Sequence, residues 1–324
     1  MLNRRDFLKA AAAGTAAGLV SAAPGRAAAY RHIEPLNRIG VALFTIPKLL
    51  DQDFAGALKL LADIGYKEVQ FFGPFPFSVL AAHERWKSVS ASLGLKASGF
   101  FGFSPREVKA VLDRHGLFAA AMHVDMGTLR TRLSEAADAA HALAMNYIGI
   151  SSIPADERRT LDGYKRVADE FNAIGVRANA LGVRFTYHNH GYGLTELEGQ
   201  IPLRMVLDRT DPTLVALELD LFWTVAGGAD PVELLDTYRG RYRLMHVKDM
   251  KQRVRFARDG GDASQWMELF PYMADAGSGV LDLRTILSHG KRSGVEHFLV
   301  EQDLVANPGE SLRKSYRFLS SLDL

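Results

Sequence analysis

The segment Phe185-Thr-Tyr-His-Asn-His190 carries two imidazoles two positions apart. In a strand, alternate side chains share a face, so His188 and His190 project the same way, about 7 Å apart. Asp220, His246 and Glu301 stand toward the ends of three later apolar segments, 215–223, 242–248 and 297–301. Paired strand histidines also occur packed or hydrogen-bonded. The repetition of ligand-type residues at four strand ends is what points to a metal site. Two carboxylates and two imidazoles supply mixed N/O ligation, which suits Mn, Co, Fe or Zn better than Ca or Mg.

These residues need a scaffold that brings four strand ends together. After residue 38, short buried β-rich runs alternate with amphipathic helical patterns. The strands are expected at 39–44, 68–72, 118–124, 147–151, 185–190, 215–223, 242–248 and 297–301. Helices are expected near 54–64, 78–93, 106–115, 129–144, 161–180, 283–292 and 311–322. Eight such units in a chain of 324 residues predict a parallel (β/α)8 TIM barrel. A doubly wound open sheet is the alternative, but no Gly-x-Gly-x-x-Gly follows the first strand. In a barrel, Asp220, His246, Glu301 and the two histidines converge at the C-terminal face, where barrel active sites are built.

Several motifs occur in order: Tyr187-His-Asn-His190, Asp220-Leu-Phe-Trp223 with Gly227-Gly-Ala-Asp-Pro231, His246-Val-Lys-Asp249, Gly277-Ser-Gly279 and Val300-Glu-Gln-Asp303. Together they resemble the xylose isomerase-like barrels grouped as sugar phosphate isomerases/epimerases. The resemblance spans roughly residues 37–322, with the specific motifs in the second half. It implies one divalent cation held by His188, Asp220, His246 and Glu301, with manganese favoured. The first of these positions is usually Glu in that family. Members resembling inosose dehydratases, and others acting on ketosugars and ketoglycosides, also show His there.

The implied reaction is proton abstraction next to a sugar carbonyl, with the cation as a Lewis acid stabilising the enediolate. Glu301 is the expected ligand and general base. His190 is a proton carrier, a group supporting a ligand, or a satisfied core histidine. Lys248 and Asp249 bind substrate oxygens or pair with each other. Trp223 stacks on a sugar ring or packs, and His123 contacts substrate. Arg184, Arg239 and Arg241 read as surface or interface charges. A family epimerase uses two carboxylates on opposite sides of the sugar, and His188 breaks that symmetry. The alternative is therefore a lyase or dehydratase opening a 3-keto-glycoside by β-elimination, with Glu301 as base and His190 or Lys248 assisting the leaving group.

Residues 1–29 are set apart. Asn3-Arg4-Arg5-Asp6-Phe7-Leu8-Lys9, an Ala/Gly/Leu run and Ala27-Ala28-Ala29 resemble a twin-arginine (Tat) export signal. The rest, 30–324, reads as a single barrel domain that is periplasmic or secreted, with no membrane attachment after signal removal. An exported enzyme argues for a non-phosphorylated carbohydrate substrate. The chain contains no cysteine, which excludes thiolate nucleophiles, iron–sulfur clusters and Cys-rich zinc sites. A net charge of +2 without a basic stripe argues against a nucleic-acid partner, and with it against a phosphodiesterase on this scaffold. A non-catalytic sugar-binding barrel is a further reading. The aromatic stretches 71–77 and 100–103 are expected to cover the barrel mouth or to form a homodimer contact.

Overall fold

The computed structural model describes residue 36 and residues 38–324, apart from 151. The twin-arginine motif and the Ala27-Ala28-Ala29 site lie outside the described residues. Ten strands are formed among the described residues: β1 (Ile39–Ala42), β2 (Glu68–Phe72), β3 (Phe118–His123), β4 (Tyr147–Ile150), β5 (Arg184–His188), β6 (Val215–Asp220), β7 (Tyr242–Val247), β8 (Asp249–Met250), β9 (Met273–Ala274) and β10 (His297–Val300). Eight of them close a parallel barrel in the order β1-β10-β7-β6-β5-β4-β3-β2, while β8 and β9 form a separate antiparallel ribbon. The expected TIM barrel is the fold.

Barrel strands are buried on both sides, one against the helices and one in the barrel interior, which explains their near-continuous apolar runs. Alternation still decides which side chain enters the barrel. Ala121, Tyr147, Ala216, Leu244 and Leu299 pack there as a cluster separate from the main core. Gly40 faces the same space, where a Cβ would stand 2.5 Å from Leu299 Cδ2. Away from the site, His297 Nδ1 lies 2.8 Å from the buried carboxylate of Glu68, and the Tyr147 hydroxyl donates to Glu296 at 2.8 Å. Stepping two residues along β3, β6, β7 and β10 from this filling leads to His123, Glu218, His246 and Glu301. The register sets His188 beside Glu218 and Asp220 beside His246.

Three boundaries and the placement of one arginine differ from expectation. The apolar run from Val215 to Trp223 splits at Asp220, whose Oδ1 accepts the Trp223 N–H at 2.8 Å and starts the helix Leu221–Ala226. An apolar run alone does not separate strand from buried helix, and here the aspartate cap ends the strand. The expected helix over 129–144 is two helices, Met126–Thr131 and Leu133–Ala142, the first capped by Asp125. β5 ends at His188, so His190 lies just beyond the strand. Arg241 is not a surface charge. It is buried and donates to Leu207 O at 2.7 Å and Thr210 Oγ1 at 2.8 Å.

Candidate metal centre and catalytic pocket

Four strand ends bring His188, Asp220, His246 and Glu301 together. His188 Nε2 lies 3.8 Å from Asp220 Oδ2, and His246 Nδ1 lies 3.7 Å from the same oxygen and 2.8 Å from Glu301 Oε2. Donors held at about 2.1 Å by one divalent ion stand roughly 3–3.5 Å apart, so this spacing suits a single cation. Asp220 Oδ1 is taken up by its cap, leaving Oδ2 buried with no hydrogen-bond partner among the described residues. This oxygen is ion-paired to Lys248 Nζ at 3.1 Å and faces two imidazole nitrogens with a second carboxylate close by, a donor set with capacity for a bound cation. The residues fit.

Lys248 completes the charge pattern. It is 2 % exposed, and its Nζ lies 2.6 Å from Glu301 Oε2, 3.1 Å from Asp220 Oδ2 and 3.0 Å from Asp303 Oδ2. Burial alone would drive this ammonium to lose its proton, but the three carboxylates outweigh burial and hold it protonated. Glu301 shows the converse balance: burial opposes its charge, and Lys248 and His246 keep it well below the usual carboxylate range. Asp303 is pushed up to about 7 by burial and by the neighbouring charge of Glu301, against the pull of Lys248. His188 is lowered to about 4 by burial and by His246, leaving a neutral imidazole with a lone pair to offer.

Below these donors lie residues that the strand-end reading passed over. Glu218 is fully buried, with Oε2 2.5 Å from His123 Nε2 and Oε1 3.1 Å from His246 Nε2. Gln70 on β2 donates from Nε2 to Glu218 Oε1 at 2.7 Å and accepts from His246 Nε2 at 2.5 Å. Period two marks Glu218, two before Asp220 in β6, whereas Asp303 lies beyond the end of β10, in the loop that follows Glu301. Gln70 has no such signal.

The cavity above the donors measures about 770 Å³. Its walls include His123, His188, His190, Trp223, His246, Lys248, Glu301 and Asp303, with Phe44, Phe72 and Trp86 farther out. The His190 ring stacks on Trp266 at 4.2 Å, and Trp223 lies under the Lys248 ammonium, 4.8 Å from Nζ to ring centroid. Of the aromatic stretches, Phe72 reaches the cavity, whereas Phe71, Phe75 and Phe100 are buried core.

Asp249 is placed differently from its expected substrate-binding role. Successive residues point to opposite sides, so Lys248 enters the barrel mouth and Asp249 turns away from the cavity. Nor do the two pair. The Asp249 carboxylate accepts the backbone N–H groups of Gly277 at 2.9 Å, Gly279 at 2.9 Å and Leu281 at 3.2 Å. Gly279 is required there, since a Cβ would stand 2.3 Å from Asp249 Oδ1. Asp249→Ala is expected to cost about 2–4 kcal/mol through the loss of several charge-assisted hydrogen bonds. Hydrogen exchange should show selective loss of protection at Gly277, Gly279 and Leu281.

With fold and geometry in place, comparison with known proteins gives the class. Residues 58–322 match the xylose isomerase-like TIM barrel family, and residues 1–21 match the twin-arginine translocation signal. The chain belongs to the xylose isomerase-like TIM barrel family. It is 29% identical over 181 residues to inosose dehydratase 2 of Bacillus cereus, a match covering 53% of this chain and 59% of that protein. It is 28% identical over 167 residues to inosose dehydratase of Lacticaseibacillus casei, covering 50% and 55% of the two chains. The chain thus spans little more than half the length of these relatives. The fold is shared with a sugar phosphate isomerase/epimerase from Parabacteroides distasonis, with a TM-score of 0.67, 21% identity and coverage of 88% and 93%. The signal match indicates export. Among the described residues, no helix is long and apolar enough to cross a membrane.

Proposed function

We propose that this chain is an exported, divalent-metal-dependent lyase of the dehydratase type, acting on a non-phosphorylated ketosugar or 3-keto-glycoside. The observation that carries this is the one-sided distribution of carboxylates. Asp220, Glu301 and Asp303 gather around Lys248, while His123, His188 and His190 occupy the other side. The carboxylate on that side, Glu218, lies off the cavity wall and is taken up by His123, His246 and Gln70, so epimerisation by two opposed carboxylates lacks a second one beside the donors, whereas elimination needs one base and one acid. The dehydratase relatives support the same reading, since an inosose is a cyclic polyhydroxy ketone and its dehydration is an elimination.

His188 Nε2, Asp220 Oδ2, His246 Nδ1 and Glu301 Oε2 would hold the cation. Bound there, it would supply Lewis-acid polarisation of the substrate carbonyl. Glu301 is the base that takes the proton from the carbon next to the carbonyl. The C–O bond one carbon further breaks, and the leaving oxygen takes a proton from the Lys248 ammonium, giving an unsaturated ketone and water or an alcohol. Glu301 and Lys248 are 2.6 Å apart, so the abstracted proton passes directly between them and resets both groups. The outer walls Phe44, Phe72 and Trp86 exclude water and offer apolar faces to the ring. Mature protein would act in the periplasm or outside the cell, where sugars without phosphate are met.

The test combines metal analysis with NMR of ketosugars and 3-keto-glycosides in deuterated water. One equivalent of transition metal together with an unsaturated ketone product is expected. Deuterium incorporation at the carbon next to the carbonyl, with the leaving group retained and a new epimer or isomer formed, would instead establish the isomerase/epimerase reading. In that case His190 or His188 would return the proton from the opposite side. Binding of a ketosugar with neither exchange nor turnover would leave a sugar-binding barrel.

A further inference from the structure

We infer that Gln70 and Glu218 are positioning residues, which fix the far nitrogens of His188 and His246 and so select the imidazole atoms that face the cation. The inference rests on the cation site proposed above. Each of these two histidines has one nitrogen directed toward the donors Asp220 and Glu301 and the other toward Glu218. His188 turns Nε2 to Asp220 at 3.8 Å and Nδ1 to Glu218 Oε2 at 3.5 Å. His246 turns Nδ1 to Glu301 at 2.8 Å and Nε2 to Glu218 Oε1 at 3.1 Å and Gln70 Oε1 at 2.5 Å.

The hydrogen-bonding capacity of the Gln70 amide points to where the protons lie. Its Nε2 donates to the acceptor-only carboxylate of Glu218, so its Oε1 is left to accept from His246 Nε2–H. Flipping the amide would set its oxygen against the Glu218 carboxylate. Gln70 Oε1 and Glu218 Oε1 therefore hold hydrogen on His246 Nε2, and Nδ1, whose hydrogen is shared with Glu301 Oε2, is the nitrogen that a bound cation would take. On His188 the action of Glu218 is through charge alone: at 3.5 Å it makes no hydrogen bond to Nδ1, but a carboxylate opposite that nitrogen favours hydrogen there and leaves the lone pair on Nε2. Both groups are sealed from solvent, with Gln70 2 % and Glu218 0 % exposed. In that low-dielectric setting the wrong tautomer would leave like groups facing each other.

A competing use of the same residues is a second cation site, since ligand atoms of His123, His188, Glu218 and His246 lie within 4.8 Å of one another. Two observations favour the positioning role. The Gln70 carboxamide is within hydrogen-bond reach of His123 (3.1 Å), Glu218 (2.7 Å) and His246 (2.5 Å), which fills the bonding capacity between them. A second ion would also need His188 and His246 to ligate through both nitrogens at once, as bridging imidazolates.

The experiment uses zinc and the mature protein as wild type, Glu218→Gln, the swap Gln70→Glu with Glu218→Gln, and Asp220→Ala. Wild type is expected to bind one equivalent of zinc. Long-range ¹H–¹⁵N spectra of the zinc form should show hydrogen on His246 Nε2 and His188 Nδ1. Outer ligand partners typically govern about 10- to 100-fold in metal affinity. Glu218→Gln should weaken zinc binding by a factor in that range and disperse the His188 signal between tautomers, with circular dichroism unchanged. The swap, which restores one carboxylate and one amide, should recover at least about tenfold of that loss. Two equivalents of zinc in wild type would overturn the inference in favour of a second site. Zinc affinity within about twofold of wild type in Glu218→Gln, with unaltered tautomers, would overturn it while leaving the cation site standing. Absence of zinc from wild type, with Asp220→Ala indistinguishable from it, would overturn the cation site and this inference together.

Discussion

Glu301→Gln is expected to lower kcat by about 10³-fold or more on any ketosugar the wild type converts. Glutamine preserves the volume and the β10 backbone, so the barrel should fold with little change in melting temperature. What it removes is the atom that accepts the substrate proton. A positioned base typically contributes 10²- to 10⁴-fold, and weakened ligation adds to its loss. The same substitution removes the acceptor 2.8 Å from His246 Nδ1 and 2.6 Å from Lys248 Nζ. KM should change far less than kcat, because the Phe44, Phe72 and Trp86 walls are untouched. Substrate deuterium exchange should vanish together with product formation. Retained exchange without product would move the base to another residue, with His190, which lines the cavity 5.1 Å from the His188 ring, the candidate.

The convergence of the strand-end residues is legible because period-two alternation and barrel closure are local and general rules. His188, Asp220, His246 and Glu301 close successive barrel strands, and any eight-stranded closure brings such ends to one face. Glu218 was equally legible in principle. An acid inside Val215-Ala-Leu-Glu-Leu-Asp220, two residues before another, must enter the same interior. Attention to strand ends alone passed it over, and Asp303 with it. Gln70 is a different case. It touches residues 53, 148 and 176 positions away, and those contacts follow from the registers of β2, β6 and β7 across the closed barrel. No sequence pattern states such a register. Asp249 shows the reverse error: its place in the His246-Val-Lys-Asp249 motif suggested substrate contact, while alternation already turned it away from Lys248.

Lys248→Met is the sharpest separation of metal binding from folding. In chelator-treated protein, removing the ammonium leaves Asp220, Glu301 and Asp303 buried within reach of one another without their shared partner. Breaking a buried ion pair from one side costs about 3–5 kcal/mol. For a domain of this size that corresponds to a melting temperature lower by roughly 10 °C. The ammonium lies against the same two oxygens, Asp220 Oδ2 and Glu301 Oε2, that would ligate the cation. Manganese or zinc should therefore raise the melting temperature of Lys248→Met by more than it raises that of wild type. Catalysis should not return with stability, since methionine has no proton to give to the leaving oxygen. A variant restored by the cation in both folding and turnover would remove Lys248 from the acid role and leave it a counter-charge. A variant whose stability ignores the cation would show that Asp220 and Glu301 do not hold one.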